Sequence, residues 1–204
     1  KTHPNIDEKS NNQIKTNICI DYPRIKNSRS GLIIDNQTRR NLEITVTQKN
    51  GKFHGSLLWA IDKTLTAMGA RCIRRWVEEP LKDIYAIENR QKIIELLVKS
   101  STLRRNIRKI LRAMGDLERL SGRAGAQQSG ARDLVAIAEG IKRLPLIKKY
   151  LNNPIFDQSK YFESIINLDK DLMELASKIN NEIIDNPPLS LTDGGLFYDG
   201  INPV

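Results

Sequence analysis

The chain has 204 residues, with 33 Lys and Arg against 24 Asp and Glu, a formal charge of +9, 39% hydrophobic residues and only 5% aromatic ones. That length suits one sizeable core or two small ones built from Leu, Ile and Ala; no apolar run reaches the ~18 residues of a membrane span, and no signal peptide pattern is present. Cys19 and Cys72 make neither a disulfide framework nor a metal motif, which points to a reducing, cytoplasmic compartment, and the positive balance favours polyanionic partners without naming one.

Residues 1–13, KTHPNIDEKSNNQ, are polar and patternless and read as linker or frayed terminus. Residues 14–20, IKTNICI, alternate like a strand. GLIID at 31–35 is another short apolar run, and NLEITVT at 41–47 alternates and is β-branched. A small sheet or hairpin is expected before the first helix. Arg39 and Arg40 can hold phosphates or pair with acidic side chains. Residues 48–55 form a loop, tightest at Asn50-Gly51.

Gly55 to Pro80, GSLLWAIDKTLTAMGARCIRRWVEEP, reads as one long helix, capped by Ser56 and stopped by Pro80. At about 100° per residue, Leu57, Leu58, Ile61, Leu65, Met68, Cys72 and Trp76 share one arc. Trp59, Thr66, Ala70, Ile73 and Val77 form a second arc opposite, with Lys63, Arg71, Arg74 and Glu78 between. A helix apolar on two sides is expected to pack between neighbours. Gly69 costs about 1 kcal/mol against Ala, and close approach of another element would compensate. Arg75 should snorkel or find a carboxylate.

Asp83 caps a helix over 84–99, with Ala86, Ile87, Ile93, Ile94, Leu97 and Val98 inward and Glu88–Lys92 and Glu95–Lys99 as pairs on its back. Arg90 falls on the apolar side and needs a buried partner. A third helix, 103–114, turns Leu103, Ile107, Ile110, Leu111 and Met114 inward. Its outer face carries Arg104, Arg105, Arg108, Lys109 and Arg112 with no acid among them. That face is either a solvated cationic surface or a contact for DNA backbone or an acidic partner. Asp116 starts another helical turn, and 122–130, GRAGAQQSG, reads as a flexible connection. It lacks GxxxxGK[ST] and is no phosphate-binding loop. Residues 131–143 form the next helix with Leu134, Val135, Ile137, Ala138 and Ile141 inward. Pro145 is expected to open a further short helix that ends at 152–154. The last helical pattern, 161–184, steps through Phe162, Ile165, Leu168, Leu172, Leu175, Ile179 and Ile183, with a bend near Asp169. Residues 186–188 stop it, and 189–202 read as two strands around Asp193-Gly194-Gly195. His3 and His54 both lie in loops, and no nucleophile–base arrangement can be drawn from the remaining residues.

TRRNLE (38–43), GSLLWAIDKTLTAMGARCIRRW, EPL with IENRQ, DLERLSGR (116–123), ARDLVAIAEGIKRLP (131–145) and NPPLSLTDGGLFYDGINP follow one another in the order of the core domain of bacterial MutS DNA mismatch-repair proteins, which the chain resembles over 35–203. Several ordered blocks are far more specific than one motif. The resemblance implies a mainly α fold: a helical bundle core with long lever-type helices, a small β element at the N-terminus and a truncated clamp strand pair at the C-terminus. It divides the chain into the end of a connector (1–34), a helical core (35–185) and the start of a clamp (186–204), and the chain reads as a piece of something longer. It favours acidic partners at a domain junction for Arg39 or Arg40. It implies a lever between DNA-holding and ATPase domains, with no catalytic site or cofactor of its own; ATP and Mg belong to the intact family. Implied partners are mismatched duplex DNA and a MutL-type protein, with a homodimer in the intact protein and a monomer for this segment alone. On that reading Leu57, Ile61, Leu65, Met68, Arg71 and Trp76 are the structural transmitters. The alternative is a basic helical module that binds nucleic acid, or a protein scaffold using the 162–183 seam.

Overall fold

The computed structural model describes residues 31–152, 156, 162–189, 192 and 194–201. The strand expected at 14–20, the linker at 1–13, His3 and Cys19 lie outside them. Among the described residues β-structure is confined to two isolated bridges, and everything else is helix, turn or loop. No helix among them is long and apolar enough to cross a membrane.

The element that organises the fold is α7 (Ala131–Leu151), 21 residues long. It packs against α5 (Ser101–Ala113), α6 (Leu117–Gly125), α8 (Glu163–Ile166) and α9 (Lys170–Glu182). The expected end at Arg143 and fresh start at Pro145 are not observed. Pro145 lies inside the helix, where a missing N–H and a ring clash cost about 3 kcal/mol. Burial on both sides of it offsets that cost. Ala138 and Ile141 join Ala176 in one cluster, while Ile147 and Leu151 join Met114 and Phe156 in another. One rod therefore threads two cores.

Of the stripe expected over 162–183, Phe162, Ile165 and Ile179 pack against the two clusters and Ile183 is buried, but the middle of the seam between α7 and α9 differs. Ala138 and Ala176 are completely buried, flanked by Met173 and Ile179, whereas Leu172 and Leu175 are exposed. Two small residues let the helix axes approach, and that contact rotates the leucines outward. The expected bend near Asp169 is present: α8 stops at Ile166, and the Asp169 carboxylate accepts the Asp171 N–H at 3.1 Å to open α9.

The long helix expected over 55–80 is broken into α2 (Leu57–Ile61) and α3 (Ala67–Glu78). The break is local polar chemistry. Asp62 Oδ1 accepts from the Thr64 N–H at 2.9 Å and from Thr64 Oγ1 at 2.7 Å. Thr66 Oγ1 then accepts the Gly69 N–H at 3.0 Å and caps α3. Such side-chain bonds offer the backbone an alternative to helix. Gly69 does face a close neighbour, but it is this same turn: a Cβ there would sit 3.0 Å from Thr66 Oγ1 and 3.2 Å from Thr64 Cβ. Nor is the segment sandwiched. No residue of α3 is fully buried, and Leu57, Trp59, Ile61 and Trp76 are exposed.

The strand expected at 41–47 is also replaced. Asp35 caps α1 (Asn36–Asn41) by accepting the Thr38 N–H at 2.9 Å. Glu43 then turns the chain with φ +49. The Glu43 and Ile44 carbonyls accept the first N–H groups of α2, from Leu57 and Leu58, at 2.9 Å each. These carbonyls satisfy a helix start instead of a sheet ladder, and Ile44 and Leu58 are both buried. The run at 31–35 contributes one bridge, Gly31 to Leu81.

α4 (Ile84–Lys99) has the expected bounds, with the Asp83 carboxylate accepting the Ala86 N–H at 2.9 Å. Its inner face is Leu96, Leu97 and Ile93; Ile94 and Val98 are exposed, contrary to expectation. Of the two expected pairs on its back, Glu95–Lys99 forms, at 2.6 Å. Helix α5 turns Leu103, Ile107, Ile110, Leu111 and Met114 into the cluster of Met114, Ile147, Leu151 and Phe156 as its periodicity demands. The glycine-rich connection begins later than expected, because α6 runs through Gly125. Of the strand pair expected at the C-terminus, residues 190, 191 and 193, with the turn at Asp193, lie outside the described residues; the described part forms one antiparallel bridge, made to the end of α9: Phe197 opposite Ile183, with Ile184 N–H to Leu196 O at 3.1 Å and Tyr198 N–H to Glu182 O at 3.0 Å.

Candidate transmission site and basic helix face

Helices α3 and α6 are joined by a clasp centred on Arg71. Asp116 caps α6 through the Arg119 N–H at 3.2 Å, which holds its carboxylate at the helix start. The Arg71 guanidinium grips it with both ends, Nη1 to Oδ2 at 3.0 Å and Nη2 to Oδ1 at 2.6 Å. Nε and Nη2 also donate to Glu118 Oε2, at 2.9 and 2.8 Å. Arg75 reaches Glu118 Oε1 at 3.9 Å, which meets the expectation of a carboxylate partner. Hydrogen bonds from Arg71 hold the Asp116 carboxyl below the usual carboxylate range, and the same bonds push the Arg71 guanidinium up. Arg71 is 41% exposed and Asp116 23%, so solvent screens the pair. Its strength is the fork geometry, which fixes direction as well as distance.

The other expected transmitters are scattered. Met68 packs against the Met114–Ile147 cluster. Leu65 is half-buried. Trp76 is 40% exposed, and the Arg90 guanidinium of α4 lies over its ring at 3.7 Å. An aromatic face suits a flat, weakly hydrated cation. Leu57 and Ile61 point to solvent on α2, while Leu58 is the buried residue there. The rotation follows from Ser56, which is buried, donates to Phe53 O at 2.7 Å and accepts the Trp59 N–H at 3.2 Å. Sequence reasoning missed Asp116 and Glu118 as partners. They lie 45 and 47 residues from Arg71, and DLER had signalled only a helix start.

The basic face of α5 divides into two sets. Arg104 Nη1 donates to Leu97 O at 2.7 Å and Val98 O at 2.9 Å, closing the C-terminal end of α4. Arg108 Nη1 donates to Lys63 O at 3.1 Å and pins the break between α2 and α3. Arg105, Lys109 and Arg112 are exposed, and among the described residues none of the three meets a carboxylate. Arg39 and Arg40 likewise meet no carboxylate among the described residues. Arg40 lines an open polar cleft with Gln37, Asn41, Thr47 and Gln48. Among the described residues no group of three or more His, Cys, Asp or Glu side chains is placed to hold a metal.

The family model described as MutS domain III matches residues 37–199. The chain is 87% identical over all 204 residues to the DNA mismatch repair protein MutS of Prochlorococcus marinus strain NATL2A, covering 22% of that relative. It is 80% identical over the same span to that of strain NATL1A, again 22% of the relative. Against the DNA mismatch repair protein MutS of Synechococcus sp. strain CC9902 it is 50% identical over 187 residues, 92% of this chain and 21% of that one. The chain thus spans about a fifth of the length of the curated relatives it matches.

Proposed function

Since the chain belongs to the MutS family and carries its domain III, we propose that its work is mechanical: a stiff helical lever between the parts of the intact protein that hold mismatched duplex DNA and the part that binds ATP and Mg. The observation that supports this is the continuity of α7 through Pro145, with both halves anchored in different clusters. A rod held at two places moves as a body, and packed cores deform in discrete steps rather than continuously. The Arg71 fork adds a surface clasp that ties α3 to the start of α6. On this reading the chain contributes no catalytic group. Its core runs over 35–185, between the end of a connector (1–34) and the start of a clamp (186–204). The intact protein works in the bacterial cytoplasm as a homodimer with a MutL-type partner.

The test uses the full-length protein with Arg71→Gln. The measurement is the factor by which ATP changes affinity for mismatched DNA, together with the unfolding temperature. Couplings between sites are typically about 1–3 kcal/mol, or roughly 5- to 150-fold. The lever reading expects that factor to fall severalfold in the variant at an unfolding temperature within about 2 °C of the parent. An unchanged factor at unchanged stability would remove Arg71 from the transmission path.

A further inference from the structure

We propose that the outer face of α5 is a sequence-independent docking track for the phosphate backbone of duplex DNA, carried by Arg105, Lys109 and Arg112. The helix, STLRRNIRKILRA, contains no acid. The structure takes two of its five cations out of consideration, because Arg104 and Arg108 are bonded to backbone carbonyls. The three that remain are at i, i+4 and i+7. They share an arc of about 60° and climb about 10 Å along the helix axis.

Two features select the partner. The other exposed positions of α5 are Ser101, Thr102 and Ala113, with no large apolar side chain among them. A protein partner needs a desolvated apolar centre to its interface, and this face has none; a phosphate backbone needs only charge and donors. The face also lacks an aromatic side chain, so it has nothing on which unpaired bases can stack. The rod behind the cations is preorganised, since Leu103, Ile107, Ile110 and Leu111 are locked into the cluster around Met114. The chain's charge of +9 adds a general attraction in the same direction.

The experiment titrates the full-length protein against a fully paired, fluorescently labelled duplex at several salt concentrations. It compares the parent with Arg105→Gln/Lys109→Gln/Arg112→Gln. A control, Lys92→Gln/Lys149→Gln/Lys178→Gln, loses the same charge from other exposed positions. Three lost phosphate contacts flatten the slope of log affinity against log salt by about 2.7, so the parent loses roughly 40-fold more affinity than the α5 variant between about 50 and 200 mM salt. The control should flatten the slope by less than about 1. An α5 variant with the parental slope overturns the proposal, and so does a control that shifts as far as the α5 variant. Helical circular dichroism of each variant shows that the surface changes leave the fold in place.

Discussion

Gly140 sits in the middle of α7, where replacement by Ala should raise helix stability by about 1 kcal/mol on propensity alone. The tertiary contact reverses that sign. A Cβ at this position would lie 2.5 Å from Leu117 Cδ2 and 3.1 Å from Leu117 Cγ. Apolar carbons prefer roughly 3.5–4.0 Å, so the overlap is about 1 Å and reaches past the methyl tip into the branch. Leu117 packs against the Met114 cluster, so it can move only by leaving that packing or by lifting α6. Overpacking of this kind costs about 1–3 kcal/mol. Set against the propensity gain, Gly140→Ala should destabilise by about 1 kcal/mol. In a Leu117→Ala background the obstruction is gone, and the same change should stabilise by about 1 kcal/mol. The assay is urea unfolding of the four proteins of the cycle, with stability read from midpoints at constant slope. A Gly140→Ala change that stabilises equally in both backgrounds would mean that α6 does not approach α7 as closely as Leu117 indicates.

The Arg71 clasp predicts an acid-side dependence. The folded pKa of Asp116 is lowered, so its contribution is present above the unfolded value, about 3.9, and disappears as pH falls through the lower folded value. Asp116→Asn keeps the helix cap but should abolish that part of the acid loss, giving a flatter stability profile below about pH 4; an unchanged acid limb would show that the fork does not favour the carboxylate. The α7–α9 seam is tested by contrast: Ala176→Leu, at a completely buried site, should cost about 1–3 kcal/mol, while Leu175→Ala, at a site 47% exposed, should cost less than about 1 kcal/mol. A larger loss at Leu175 would restore the leucine seam.

Much of the helical framework was legible because its signals are local. Asp83 marks the start of α4, and a run without breakers carries it to Lys99. The stripe from Leu103 to Met114 names the inner face of α5, and Asp169 marks the bend before α9. The break in 62–66 was also written locally, in the D-K-T-L-T side chains that bond the backbone. The apolar spacing continues across the break and masks that signal. Pro145 misled in the other direction. Its rule describes an isolated helix, and the burial of Ile147 and Leu151 outweighs it.

The basic face shows where sequence reading of the site stops. Five cations on one side of α5 are plain from spacing, but nothing near Arg104 or Arg108 says that the end of α4 and the α2–α3 turn will claim them. The Trp76–Arg90 stack and the Arg71 fork have the same character. Each joins residues whose partners are set by how helices cross rather than by neighbours in the chain.

By itself the sequence determined most of the helical stretches, the caps of several of them, such as Ser56, Asp83 and Asp169, and the family to which the chain belongs. Caps, turns and helical periodicity all act within about four residues, so they are written where they act. Only the tertiary structure decided that α7 rather than the 55–80 segment is the centre, that Ala176 rather than Leu175 faces it, and that three of five cations on α5 remain open. Those outcomes depend on area buried and on which groups meet after the chain has closed on itself. A contact 45 residues apart, such as Arg71 with Asp116, leaves no trace in the residues beside it.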